Sequence, residues 1–160
     1  MEWKSPHEEL IGHVVICNAS DQVRRIVREV HEEIVNPRPD VVLVLQDNDL
    51  WRNNPSWHRP TTNPYTLDHF FVVPFDDRPL TEKLRKVRIS RARAAVILAD
   101  PRQGRLADAR STLIAVSIER EDPQVHTVME LISSINRAHL RTTEVNEVVC
   151  QGEIAEKLIA

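Results

Sequence analysis

The sequence predicts a single α/β domain built on a doubly wound, mostly parallel sheet of six strands. Short runs of valine, isoleucine and leucine recur along the chain, and such unbroken runs are typical of strands buried on both faces of a sheet. Segments with apolar residues at helical spacing lie between these runs. The length of 160 residues and the hydrophobic content of 41% suit one domain with its own core. Alternation of strands and helices is typical of a parallel sheet.

The stretch from His13 to Ile34 predicts the first strand and the first helix. An apolar run from Val14 to Cys17 stops at Asn18, and Ser20 and Asp21 are good helix starters. Apolar residues then follow in one helical stripe: Val23, Ile26, Val27, Val30 and Ile34. A strand, a tight turn and a helix in this order begin a βαβ unit, and a phosphate group can bind at such a helix N-terminus.

The turn between this strand and helix lacks the glycines of a dinucleotide fingerprint. Asn18, Ala19 and Ser20 stand where glycines would allow a close approach to a pyrophosphate. Asparagine accepts left-handed backbone better than most residues, whereas Ala and Ser place a Cβ at the turn. Two interpretations stay open: a ligand-binding loop, and a structural turn that binds nothing.

The remaining elements follow in order. The predicted strands are Val41 to Leu45, His69 to Val73, Ala94 to Ala99, Val125 to Leu131 and Val145 to Cys150. The predicted helices are Pro79 to Val87, Leu106 to Arg120, a short one capped by Ser133 and Ser134 and ending at Arg141, and a last one from Gly152 to Ala160. The right-handed crossover rule makes a Rossmann-like strand order the default. Residues 50–68, which include Trp51 and Trp57, predict a long loop, either a partner-binding patch or a loop anchored by its tryptophans.

Composition excludes several classes of protein. A net charge of −3 argues against a nucleic-acid-binding protein, and no apolar run approaches the length of a membrane span. Only three glycines are present, which excludes a P-loop. Cys17 and Cys150 fall in predicted buried strands, which favours a reducing compartment over a disulfide framework.

Charged residues and histidines allow more than one interpretation. Asp47 follows the second strand, where an acid would hold a ribose hydroxyl, although an acid there can simply solvate a strand end. A basic cluster is interpreted as a solvated face near the amino edge of the sheet rather than an anion-binding surface: Lys83, Arg85, Lys86, Arg88, Arg91 and Arg93. The histidines are scattered, and His13 and His126 fall at strand starts. With no nucleophile motif and no zinc spacing, we expect no catalysis.

The helix from Leu106 to Arg120 carries more apolar residues than one buried face needs. The surplus predicts a contact with another subunit. The residues expected in this contact are Leu106, Ala109, Leu113 and Ile114.

Several of these segments together resemble the N-terminal Rossmann-like lobe of RCK (TrkA-N) domains, which regulate potassium channels and potassium transporters. The resemblance is clearest in His13–Cys17, Arg91–Ile97, Asp108–Ala115, Asn146–Cys150 and Ile154–Ala155. It covers residues 12–160, so residues 13–160 are expected to form the RCK lobe after a lead-in of residues 1–12. The sequence stops within the predicted apolar helix from Gly152 to Ala160, and from this we expect a piece of a longer protein.

The resemblance implies a domain on the cytoplasmic side of the cell membrane that assembles as a homodimer or a larger ring beneath a pore domain of the same or a partner chain. Its expected ligand is NAD(H) or an adenine nucleotide. Ca²⁺ is a weaker candidate because Ile132 lies where some members carry a second acid. By position, the resemblance assigns the ligand to Asn18, Ala19, Ser20, Asp47, Asp76, Asp100 and Glu130. The alternatives are an NAD-binding dehydrogenase-like enzyme and a ring component without a ligand.

Overall fold

The computed structural model describes residues 10–18, 22–34, 36–45, 69–73, 77–143 and 145–151. The strands are β1 (Val14–Cys17), β2 (Val41–Val44), β3 (Phe70–Val73), β4 (Ala94–Ile97), β5 (His126–Leu131) and β6 (Glu147–Cys150). The α-helices of the described residues are α1 (Val23–Glu33), α2 (Leu80–Lys86) and α3 (Ala107–Glu121). Three 3₁₀ segments accompany them: Ile89–Arg91, Pro101–Leu106 and Ser134–Thr142.

The six strands form one sheet in the order β3-β2-β1-β4-β5-β6, and every neighbouring pair is parallel. Strand β1 lies in the middle, with Val14 in register with Val41 of β2 and with Ala94 of β4. The chain therefore moves outward in one direction from β1 to β3 and in the opposite direction from β4 to β6. This order confirms the predicted doubly wound, Rossmann-like fold.

The two faces of the sheet bury separate apolar clusters because side chains alternate along each strand. On one face, Val23 and Val27 of α1 pack against Val14 and Ile16 of β1. On the other face, α2 and α3 cover the alternate residues of the same strands, with Leu84 and Ile118 among the buried side chains. The unbroken apolar runs in the sequence reflect this burial on both faces.

Three local predictions differ from the structure. The segment expected to be a short α-helix after Ser133 is a 3₁₀ segment, and the Ser133 side chain makes no cap hydrogen bond to it. Residues 101–106, where the sequence predicted neither a strand nor a helix before Leu106, are also 3₁₀, with a kink at Gly104, whose φ of 56° is left-handed. Lys83 lies in the predicted solvated basic cluster but is only 4% exposed.

Several predictions concern residues outside the described part of the chain. They include the tryptophan-containing loop at residues 50–68 and the last helix from Gly152 to Ala160. Within the described part, Leu10 belongs to the expected lead-in but is 1% exposed and packs in the core with α2 and α3. The core therefore uses at least one residue that precedes the predicted start of the domain.

Candidate functional site

The candidate site lies at the carboxyl edge of the sheet, where β1 and β4 are neighbours. The chain leaves β1 toward β2 on one side and leaves β4 toward β5 on the other, so their carboxyl ends flank the switch point of the topology. In open α/β sheets, ligands bind in the crevice at this point. Asn18 follows β1 directly, Asp100 follows β4, and Glu130 lies near the end of β5.

Asn18 occupies the first position of the glycine-poor turn with a left-handed backbone (φ 67°). It is 8% exposed, and its side-chain Nδ2 donates a hydrogen bond to the carbonyl oxygen of Leu98 at 3.0 Å. Its backbone N–H donates to Val44 at the end of β2 at 3.3 Å. Asparagine therefore supplies the conformation for which glycine is otherwise used, and its amide ties β1 to β4 across the switch point.

Asp100 begins the 3₁₀ segment and is held by the residues that follow it. Its Oδ1 accepts hydrogen bonds from the backbone N–H of Arg102 at 3.1 Å and from Nε of the same residue at 3.0 Å. Its Oδ2 accepts from Arg102 Nη2 at 2.9 Å and from Gln103 Nε2 at 3.3 Å. Burial alone would raise the pKa of the Asp100 carboxyl, but these hydrogen bonds outweigh burial and hold that pKa below its ordinary value. Asp100 is therefore a carboxylate at neutral pH.

Glu130 is half-buried in β5 and reaches sideways to the end of β4. Its Oε1 accepts a hydrogen bond from the backbone N–H of Ala99 at 3.0 Å. Asn18 and Glu130 thus bind consecutive residues, Leu98 and Ala99, and Asp100 comes next. The structure therefore brings three of the predicted ligand residues together around one short segment. The other four, Ala19, Ser20, Asp47 and Asp76, lie outside the described residues.

Lys83 lies at this carboxyl edge, although the sequence interpretation placed it on a solvated face near the amino edge of the sheet. It is buried in α2, and its Nζ donates to the carbonyl oxygen of Leu45, the residue after β2, at 3.4 Å. It therefore lies at the carboxyl edge and not on a solvated amino edge. Helical spacing could have shown this, because Lys83 shares one face of α2 with Leu80 and Leu84.

Asp108 is a second residue whose role the sequence did not indicate. It lies in the first turn of α3 and is 5% exposed. Its carboxylate accepts hydrogen bonds from the backbone N–H groups of Ile132 at 2.8 Å and Ser133 at 3.1 Å, and from Asn136 Nδ2 at 2.7 Å. It thereby fixes the turn that follows β5, beside Glu130.

The four residues predicted for a subunit contact fall into two groups. Leu106 is 58% exposed, Leu113 is 66% exposed, and Ala109 is exposed beside them on α3. Ile114 is 4% exposed and packs in the core. The exposed three form a stripe on the outer face of α3, which we call the α3 stripe. Ile114 offers little surface in the single chain.

A cleft of about 310 Å³ lies between α2, α3 and the 3₁₀ segment at Pro101–Leu106. Asn18 and Asp100 lie on its wall, so it borders the switch point. The histidines of the sheet lie at the opposite edge, since His13 precedes β1 and His126 begins β5, as predicted. In the described ranges, no three His, Cys, Asp or Glu residues are grouped to hold a metal ion. No helix in those ranges has the length and apolarity to cross a membrane.

The fold and the edge described above define a Rossmann-like α/β domain with a candidate ligand crevice at its switch point. No sequence-family profile matches the chain, and comparison with curated proteins finds no match. Solved structures of RCK and TrkA-N domains share its fold. The GsuK RCK domain has a TM-score of 0.61 at 16% identity, over 89% of this chain and 26% of that chain. The human SLO3 gating ring has a TM-score of 0.58 at 17% identity, over 92% of this chain and 26% of that chain.

The TrkA-N domain of the inner membrane protein ybaL from Escherichia coli has a TM-score of 0.60 at 12% identity, over 94% of this chain and 96% of that one. GsuK has also been solved bound to NAD and bound to ADP, with TM-scores of 0.61 and 0.62. This chain spans about a quarter of the GsuK and SLO3 chains and nearly the whole ybaL domain. The resemblance seen in the sequence is thus confirmed at the level of the fold.

Proposed function

We propose that this chain is a regulatory domain of the RCK or TrkA-N kind, which senses a ligand and assembles on the cytoplasmic side of a membrane to control a potassium channel or transporter. The observation that carries the proposal is the arrangement at the switch point. Asn18 and Glu130 bind the consecutive residues Leu98 and Ala99 and leave the ionised Asp100 at the crevice. Here Asn18 and Glu130 hold the backbone in place, and Asp100 is the acid whose hydrogen-bond partners a ligand could replace.

The proposed ligand is NAD(H) or an adenine nucleotide, whose ribose hydroxyls would donate to a carboxylate at this edge. Asp100 is the candidate acceptor because it is held mainly by the side chains of Arg102 and Gln103, which a ligand can replace without moving the backbone. GsuK, which shares the fold, was solved with NAD and with ADP. Ca²⁺ is a weaker candidate, because such an ion takes about six to eight oxygen ligands.

A thermal-shift series with NAD⁺, NADH, ATP, ADP, AMP and Ca²⁺ tests this assignment. A ligand at a hundred times its dissociation constant stabilises by about 2.7 kcal/mol, or roughly 5–11 °C for a domain of this size. We expect Asp100→Asn to reduce the shift, while the oxygen left at that position still accepts from the Arg102 N–H. The matched control is Asp122→Asn, an acid of an exposed turn. No shift with any nucleotide would contradict ligand sensing and leave an assembly domain.

Self-association through the α3 stripe is the second part of the proposal. Exposed leucines at helical spacing on one face are typical of a helix that packs against a partner. We expect Leu113→Glu to lower the sedimentation mass without changing the thermal midpoint by more than a few degrees. Ile135→Glu is the control, because Ile135 is 80% exposed but lies outside the stripe. An unchanged mass for Leu113→Glu would refute this interface.

The same substitution at Ile114 has a different expected result. Because Ile114 is 4% exposed, a glutamate there places a charge in the core and is expected to unfold the domain. Comparison of Leu113→Glu with Ile114→Glu therefore distinguishes the loss of a subunit contact from the disruption of the core. The link to transport has its own test, since the gene beyond both ends or its neighbour should encode a membrane-spanning potassium pore.

An NAD-dependent enzyme is the competing function. Catalysis would require an acid or base beside the bound cofactor. His13, His31, His69 and His126 lie at or near the amino edge, because three of them border strand starts and His31 contacts Pro39 just before β2. The regulatory proposal therefore predicts that NADH bound to this chain is not oxidised by added 2-oxo acids.

A further inference from the structure

The cleft between α2 and α3 has a composition that the proposed nucleotide site does not explain. Its apolar wall comes from Leu80 of α2 and from Leu113 and Ile114 of α3. Its polar lining includes Arg110 and Ser117, which lie two turns apart on α3. These residues lie beyond the crevice between β1 and β4, along the helix.

The charge of the cleft is set by two residues, Asp100 and Arg110. Asp100 is paired with Arg102, whose Nη2 lies 2.9 Å from Oδ2, so its negative charge is largely compensated. Arg110 is exposed, and none of the described residues makes an ion pair with it. A guanidinium beside an apolar wall therefore gives the cleft a net attraction for anions.

The volume of the cleft limits what it can hold. At about 310 Å³ it lies at the lower end of the range of ligand pockets. One ring with a short chain fits within this volume, whereas a dinucleotide with two bases and two riboses would have to extend out of the cleft.

From the shape and charge together we propose that the part of this cleft away from Asp100 is a binding site for a small amphipathic organic carboxylate. The carboxylate group pairs with Arg110 at the mouth. The apolar body lies against Leu80, Leu113 and Ile114. Ser117 lies one turn beyond Leu113, and since its hydroxyl donates to the Leu113 carbonyl at 2.9 Å, its oxygen lone pairs remain to accept a hydrogen bond from a ligand.

Displacement of a fluorescent reporter tests the site. The chain is titrated with 8-anilinonaphthalene-1-sulfonate, and the bound reporter is displaced by 4-phenylbutyrate or by 4-phenyl-1-butanol. The two competitors share a body and differ in charge. We expect one reporter per chain, and displacement by the carboxylate at a concentration about tenfold lower than by the alcohol, because a charge-assisted hydrogen bond is stronger than a neutral one.

Three variants locate the binding. Arg110→Gln should remove the preference for the carboxylate and leave displacement by the alcohol unchanged. Ser117→Leu should fill the cleft and abolish binding of all three compounds. Ile135→Ser is the control, because Ile135 is 80% exposed and belongs neither to the cleft lining nor to the α3 stripe, and its loss should change nothing.

The proposal is overturned if the reporter does not saturate, if both competitors displace it equally from the unmodified chain, or if Ser117→Leu binds as well as that chain. Sedimentation of the same samples checks the neighbouring α3 stripe. If binding of the reporter is lost as the chain self-associates, the cleft is covered by a second copy of the chain, and this result would also overturn the proposal. None of these measurements uses NAD or ADP. They can therefore refute the carboxylate site without refuting the nucleotide proposal, and the nucleotide thermal-shift series can fail without refuting the carboxylate site.

Discussion

Replacement of Asp108 by alanine is expected to destabilise the domain more than any single surface change. Asp108 is 5% exposed at the start of α3, and its carboxylate is the acceptor for two backbone N–H groups and one side-chain amide. Ile132 and Ser133 belong to the turn after β5, and Asn136 belongs to the 3₁₀ segment that follows it. The carboxylate thus connects residues that lie 24 to 28 positions apart in the sequence.

The magnitude follows from the donors that the alanine would leave unpaired. A hydrogen bond to a charged group contributes about 1.5–3 kcal/mol. The three donors share one carboxylate and are half-buried, so part of the loss is recovered by hydration, and we expect a cost of about 3–5 kcal/mol. Because domains of this kind have a free energy of unfolding of about 5–15 kcal/mol, Asp108→Ala is expected to leave the fold marginal. Asp108→Asn keeps one acceptor oxygen and should cost less.

Urea unfolding followed by circular dichroism measures these differences. Asp122→Ala is the control, because the Asp122 side chain accepts a hydrogen bond from the Gln124 N–H at 2.8 Å in an exposed turn, whereas the Asp108 carboxylate accepts three. We expect the urea midpoint of Asp122→Ala to be close to that of the unmodified chain. The midpoint of Asp108→Asn should be lower, and that of Asp108→Ala should be the lowest. If Asp108→Ala unfolds within about 1 kcal/mol of the control, the three hydrogen bonds contribute little and the reasoning is refuted.

Two further predictions concern buried polar atoms. His13 is 1% exposed, its Nε2 donates to the Val87 carbonyl at 2.6 Å, and burial lowers its pKa below 6.5. The contribution of His13 to the free energy of unfolding is therefore fully present above pH 6.5 and is lost as the pH falls from 6.5 toward the lowered pKa. We expect His13→Gln to reduce this loss, measured as the change in urea midpoint between pH 7.5 and 5.5. A variant that loses as much stability as the unmodified chain would contradict this reasoning. Ser111 is 0% exposed, and its Oγ has no hydrogen-bond partner among the described residues. Ser111→Ala should therefore raise the thermal midpoint by roughly 2–4 °C, whereas Ser117→Ala should not. A lower midpoint for Ser111→Ala would refute the expected gain.

The sheet could be predicted from the sequence because its determinants are local. Every strand predicted from an apolar run is present, and β1 has the same bounds, Val14 to Cys17. The other strands are one or more residues shorter at an end than expected: β2 and β4 end before Leu45 and Leu98, and β3, β5 and β6 begin one or two residues later than predicted. The strand order could not be derived from the residues; it was expected only as the default of the right-handed crossover rule.

The contacts of the candidate site could not be predicted because they depend on distant residues. Asn18 and Leu98 are 80 positions apart, and Ala99 and Glu130 are 31 apart. A single sequence shows that acids follow strands but not which donors they meet. Lys83 was misplaced for a different reason: its charge was given more weight than its position on the apolar face of α2, although a lysine stem packs well against apolar neighbours.

The acids of the carboxyl edge differ in what holds them, and this difference indicates their roles. Asp108 and Glu130 accept hydrogen bonds from backbone N–H groups, which cannot move away without moving the turns to which they belong. Asp100 is bound largely by the side chains of Arg102 and Gln103, and the Arg102 side chain is 45% exposed. A ligand hydroxyl or amide can replace such a partner at little cost to the fold. Among the described acids of this edge, Asp108 and Glu130 therefore form a fixed support, and Asp100 is the acid that we propose to exchange its partner for a ligand.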